Sequence, residues 1–376
     1  MPENHLHIVS FSIPFPAIYG GVIDVFYKIK ALFHLGIRIH LHCFEYENEP
    51  SPVLATLCES VNYYPRKTGF LKAMKIKPYI VASRCSEELI NNLLKDNHPI
   101  LFEGLHSCYW IDDPRLKNRM KIYRESNIEH QYYYQLFKAE KRLPTKCFFL
   151  AESLKLRLYQ RILKNASLML VVSQLDAVYL RHHFPKNKIV YLPSFHPNSD
   201  FRCQEGKGKF ALYHGKLSVP ENYRVAEFLI KKVFNDLDIP LLIAGLNAPS
   251  FLTKLSEGSK NIELVNSPSH REMQYFIENA QVNIMITFQA SGLKLKLLNA
   301  LYNGRFVLAN DAMTAGTSLK DLCSIANTAE EMKKSINQLF SKEFDPYIID
   351  ERRRKIEISY ANTTNAAKLK ELIFPA

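Results

Sequence analysis

Ser291, Gly292, Leu293, Lys294, Leu295 and Lys296 put a glycine and two lysines where a helical pattern begins. Leu293, Leu297, Ala300 and Leu301 recur at helical spacing and mark the packed stripe. Free N–H groups and the dipole at a helix N-terminus attract an anion, and a glycine lets the backbone approach it closely. The chemistry this arrangement could do is phosphate binding. The plainer reading is a glycine that closes a loop and lysines solvated on a helix surface. Apolar runs at 282–287 and 306–310 flank the segment and read as buried strands. The glycine thus lies in an α/β crossover, and such folds bind ligands at the carboxyl ends of their strands.

Other polar residues also follow strand-like runs. Glu103 closes the run at 100–103 and His106 follows it, and Arg124 to His130 come just after residues 120–123. Glu129 and His130 could bind hydroxyls or take up a proton, since a neutral imidazole is a base near pH 7. They could equally be polar residues at a capped helix start. Ser173 and Asp176 read as a cap, and Asn310, Gly316 and Thr317 follow a further strand. Seven cysteines at 43, 58, 85, 108, 147, 203 and 323 form no close pair, which argues against a disulfide framework and a zinc site. His40 and His42, and the pair His182 and His183, have no carboxylate or thiolate at ligand spacing. No metal and no cofactor is expected.

These residues need elements to hold them. A strand at 6–12, a helix ending near Leu35 and a strand at 37–44 make a βαβ opening. Strands at 100–103, 120–123, 168–173 and 189–192, with a long helical region over 128–165, complete a first α/β domain at 1–195. Residues 193–208 carry prolines and glycines and read as a linker. A second series of alternating strands and helices fills 209–345, and a helical segment at 346–376 is expected to pack back on the first domain.

At 376 residues the chain suits two domains, and its 47% hydrophobic and 23% charged residues are ordinary for a globular protein. No apolar run reaches the roughly 18 residues of a membrane span, and the N-terminus lacks a signal-peptide layout. The net charge of +12 suits a phosphorylated ligand or an anionic membrane surface. Nucleic acid is not expected, because the lysines are spread thinly. The dense run Arg352, Arg353, Arg354 and Lys355 points to the membrane surface. Localisation is expected to be cytoplasmic, with peripheral attachment to the inner membrane face.

Two tandem Rossmann-like domains with this glycine-lysine helix resemble the GT-B fold retaining glycosyltransferases, specifically the family 4-like group (glycosyl transferases group 1). The resemblance covers essentially the whole chain, with an interdomain cleft and a C-terminal helix returning to the first domain. Gly292 to Arg305 is similar to the donor-binding helix of that family, and Tyr213 to Leu217 to its strand-glycine-cation loop. Gly20 and Gly21 are similar to its sugar-facing glycine pair. The resemblance implies a metal-independent hexosyltransferase that takes a nucleotide-diphosphate sugar to a glycan or lipid-linked acceptor in cell-surface polysaccharide biosynthesis, with retention. It implies donor binding by Gly20, Gly21, Lys216, Ser291, Gly292, Lys294, Lys296 and Asn299. It assigns acceptor binding to Glu103, Ser126 and Asn127, and catalysis to Glu129, His130 and His106. Asn299 departs from the family, which usually places a ribose-gripping glutamate there, and Ser126 or Asn127 stands where a sugar-contacting histidine is expected. Asn222 stands where the resemblance leads one to expect a phosphate-binding lysine. These departures keep open a catalytically silent GT-B-like glycan- or partner-binding protein. A nucleotide-sugar epimerase is the other alternative.

Overall fold

The computed structural model describes residues 3–46, 48–69, 75–140, 142–288 and 294–375. The chain divides into two compact units, Met1–Pro197 with Ser359–Ala376, and Asn198–Ala290 with Lys294–Ile358.

Among the described residues the first unit has seven strands: β1 (His5–Ser10), β2 (Arg38–Glu45), β3 (Ser60–Pro65), β4 (Ile100–Glu103), β5 (Lys121–Arg124), β6 (Leu168–Val171) and β7 (Lys188–Tyr191). They pair in parallel in the order β3-β2-β1-β4-β5-β6-β7. Successive side chains of a strand point to opposite faces. Ile8, Leu101 and Ile122 therefore pack on one face with helix α1 (Gly20–His34). Val9, Phe102 and Tyr123 pack on the other, with Leu156 of the second helix of a hairpin. That hairpin is α2 (Glu129–Ala139) and α3 (Leu143–Tyr159), and α4 (Gln174–His183) follows β6. Chain order reverses between β1 and β4, which makes the loops after those strands the place to look for a site.

At the opposite end of the same strands, residues two apart place imidazoles on one face. His7 Nδ1 meets His42 Nε2 at 2.9 Å, and His5 Nδ1 meets His40 Nε2 at 2.9 Å. His98 stacks on His5 with centroids 4.6 Å apart, and Asp96 holds His7 at 3.0 Å. Burial pulls His7 down to about 4, its Asp96 partner acting the other way. The rings bond one another, and no grouping that could hold a metal ion occurs among the described residues.

The second unit has β8 (Ala211–His214), β9 (Leu241–Gly245), β10 (Ile262–Asn266), β11 (Val282–Met285), β12 (Phe306–Ala309) and β13 (Ser324–Ile325). They are parallel in the order β10-β9-β8-β11-β12-β13. Helix α5 (Pro220–Phe228) follows β8, and α6 (Leu295–Asn303) links β11 to β12. Helix α7 (Pro346–Tyr360) ends the unit. The return to the first unit expected from Pro346 comes instead at Ser359, with α8 (Asn362–Ile373) packing on α1. Arg352 explains why α7 stays: its guanidinium donates to the carbonyls of Leu301, Gly304 and Arg305 in the second unit.

Candidate functional site

The carboxyl edge of the first sheet gathers Phe11 after β1, Glu103 at the end of β4 and Arg124 at the end of β5. Glu103 does not face a ligand, contrary to the expectation for it. It is buried and accepts from Lys28 Nζ at 2.7 Å. Lys28 also donates to Asp24 at 3.0 Å, and Asp24 takes both a bidentate Arg124 fork at 3.0 Å and the Phe195 N–H at 2.7 Å. Two cations balance two carboxylates and tie α1, β4 and β5 together, because buried charges persist only when paired. These four residues position the loops.

The loops themselves converge on His106. Gly104 has φ +69°, a conformation that favours glycine. A Cβ added there would lie 3.1 Å from His106 Nδ1 and 3.9 Å from Ser126 Oγ. The Phe11 ring lies 5.4 Å from the His106 ring. Glu129 Oε1, in the first turn of α2, is 3.8 Å from His106 Nδ1, which makes no hydrogen bond. Burial raises the Glu129 carboxyl to about 8 against the pull of Arg84, while burial and the charges of Arg84 and Arg66 hold His106 well below the usual imidazole range. A neutral imidazole and a protonated carboxyl therefore stand together at pH 7. Asn127 is half-buried in the same turn as Ser126. Gly20 and Gly21 open α1, and a Cβ on Gly21 would come within 2.7 Å of Phe11 Cζ.

His130 is not part of this group in the way its neighbour is. Its Nδ1 is held by Gln160 Oε1 at 3.1 Å and its ring tilts against Tyr179 of α4. One residue beyond β5, Glu125 is buried, and burial with Asp176 and Glu129 nearby raises it well above the carboxylate range.

In the second unit the loop after β8 meets α6. Lys296 Nζ donates to the His214 carbonyl at 3.2 Å and to Asn222 Oδ1 at 3.3 Å, and sits 3.1 Å from where a Cβ on Gly215 would be. Asn222, placed by α5, also donates to the Lys216 carbonyl at 3.0 Å. Its amide thus fastens the strand-end loop to the lysine. Burial lowers Lys296, with Glu221 acting the other way, and burial with Lys296 takes His214 down to about 3. No carboxylate forms an ion pair with Lys296 among the described residues, and Lys216 is exposed in the same loop. Lys294 is the N-cap residue of α6. Asn299, one turn along, accepts from Asn303 Nδ2 at 2.9 Å. Ser291 and Gly292 lie outside the described residues.

Three things differ from what the residue types suggest. Arg352 is buried, Arg353 pairs with Asp350 at 3.4 Å and Lys355 with Glu351 at 3.1 Å, so that run is not a free cationic patch. Glu221 brings a carboxylate to the second-unit site, where its Oε1 accepts from Thr287 Oγ1. Arg66 and Arg84 join the His106 group through loops whose sequence carries no motif.

The first unit's strand order and the glycine loop after β8 are those of a GT-B fold, and solved structures agree. Sucrose-phosphate synthase from Thermosynechococcus elongatus superposes with a TM-score of 0.70 at 15% identity, over 98% of each chain. TarM does so with a TM-score of 0.70 at 11% identity, over 99% of each chain. In sequence, an uncharacterized 44.6 kDa protein in the cps region of Klebsiella pneumoniae is 25% identical over 338 residues, covering 82% of this chain and 84% of its own. No family model matches the chain.

Proposed function

We propose that this GT-B chain is a retaining hexosyltransferase, moving a sugar from a nucleotide-diphosphate donor to a glycan or lipid-linked acceptor in cell-surface polysaccharide assembly. The likeness to sucrose-phosphate synthase and the relative from a cps region support it. The observation that carries it is Lys296. Its ammonium is pinned to the end of β8 by two neutral acceptors, beside a glycine and without an ion pair to any described residue.

A donor diphosphate gains charge as the bond to the anomeric carbon breaks. Fixed cations favour that departing group more than the bound donor, which is what lowers the barrier. Lys296 and Lys216 supply the charge in this reading, without a divalent ion, and Lys294 with the start of α6 adds to it. Gly20 and Gly21 leave N–H groups at the start of α1 accessible to sugar or phosphate oxygens. On the acceptor side, the partly exposed His106 ring receives the hydroxyl, and Glu129, beside its buried Nδ1, positions the ring. Ser126 and Asn127 contribute further hydroxyl contacts.

Attachment to an anionic membrane face is read from α3. Leu143, Cys147, Ala151, Leu154 and Leu158 form an exposed stripe along it, bordered by exposed Arg142, Arg157 and Arg161. A basic amphipathic helix of this kind suits an interface.

A thermal-shift titration with UDP, GDP, ADP and their sugars tests the donor site. One nucleotide should raise Tm with the logarithm of its concentration, and Lys296→Gln should abolish the rise. No response to any nucleotide would remove the transferase reading. The silent binding protein would then take its place, with Asn299 engaged by Asn303 as the reason.

A further inference from the structure

Arg84 is 3% exposed, yet it forms no ion pair with any described residue. Its Nε donates to the Phe11 carbonyl at 2.7 Å and its Nη1 to the Ile80 carbonyl at 2.6 Å, while Nη2 donates to no described group. Two other buried arginines are spent differently. Arg124 has Asp24, and Arg352 uses both Nη atoms on carbonyls. A second guanidinium stands beside Arg84. Arg66 lies just after β3, donates from Nε to Ser83 Oγ at 3.2 Å, and stacks 4.1 Å from the Tyr46 ring centroid. Arg84 lies 6.0 Å from the same ring.

Two like charges on one ring, with no ion pair to any described carboxylate, are held against their mutual repulsion. Burial and the neighbouring Arg66 hold Arg84 down at about 9. Among the described residues Glu129 feels its charge, and burial keeps that carboxyl protonated near neutral pH, so it does not neutralise Arg84. Phe11, Tyr46 and Arg66 each follow a strand of the first sheet, so the pair lies along the edge where His106 opens. Guanidinium forks match the oxygens of phosphates and carboxylates.

We propose that Arg66 and Arg84 form a subsite for an anionic group on the acceptor, a phosphate or a carboxylate, making the acceptor an acidic or phosphorylated saccharide. This rests on the reading of the first unit as the acceptor-binding half.

The test is calorimetric titration of the full-length protein with glucose 1-phosphate, glucuronate and methyl α-glucoside, each with saturating UDP present. The expected result is binding of at least one anionic sugar, at least tenfold tighter than the neutral glucoside. Arg66→Gln, at a half-buried position, should weaken that anion at least tenfold. Arg84→Lys, which keeps the charge and loses the fork, should weaken it several-fold. Preference for glucose 1-phosphate identifies a phosphate, and preference for glucuronate a carboxylate. Equal affinity for the neutral glucoside, no binding of either anion, or anion binding unchanged in Arg66→Gln would overturn the proposal. So would loss of anion binding in Lys296→Gln alone, which would place the anion in the second unit. A wild type that ignores UDP indicts the donor reading, whereas a normal UDP response with an indifferent Arg66→Gln indicts only this subsite.

Discussion

At the scale of single residues, Glu129 links protonation to stability. Its carboxyl is raised from 4.5 unfolded to about 8 folded, so the folded state binds the extra proton. The stabilisation is complete below about pH 4.5 and is lost as pH rises through 8. Glu129→Gln carries a permanently neutral amide there. Between pH 5 and pH 9 its urea midpoint should fall less than that of the wild type; equal falls would show the carboxyl ionising freely. The residue scale is also where the sequence is least legible. Glu103 and His106 carry the same signal, a polar residue after a strand. Only the partner supplied by α1, Lys28, decides that one is structural and the other faces the opening. Arg84 gives no signal at all, because its role depends on what fails to approach it.

At the scale of elements, strand ends do the positioning. A Cβ on Gly245, at the end of β9, would lie 1.8 Å from the Gly215 carbonyl oxygen. Gly245→Ala must push apart the loop that holds Lys296, at about 2–4 kcal/mol. A lower Tm together with a weaker nucleotide response is the expected outcome, and an unchanged response would separate the two loops functionally. The stripe on α3 makes its own prediction. Leu143→Glu with Leu158→Glu should reduce cosedimentation with phosphatidylglycerol vesicles several-fold and leave the nucleotide response intact. Undiminished sedimentation would remove α3 as the attachment face. The inner strand β6, Leu168–Val171, is legible as an unbroken apolar run, since both its faces are covered. The edge strand β3 is not: Ser60, Asn62 and Tyr63 sit half-buried in a run without apolar continuity, which hides Arg66 at its end.

At the scale of the whole molecule, the chain leaves the first unit near Pro197 and comes back at Ser359. The βα alternation of both units is legible from hydrophobic period alone. The return point is not, because Arg352 holds α7 by backbone carbonyls that no side-chain pattern reveals. Leu369 is buried under α1, and Lys370 Nζ reaches the Leu35 carbonyl at 3.1 Å. Leu369→Ala should cost about 2–4 kcal/mol. The first unit should lose that stability while nucleotide binding in the second persists; a loss of both together would mean the units unfold as one.

The same return has a consequence for synthesis. Domains generally fold as they emerge from the ribosome, N-terminal first. Here the face of α1 that α8 covers stays bare until α8 has been translated, although most of that unit is made before the second. No residue after Ile358 belongs to the second unit. Of the two units, the one whose strands are made earlier is therefore the one completed later.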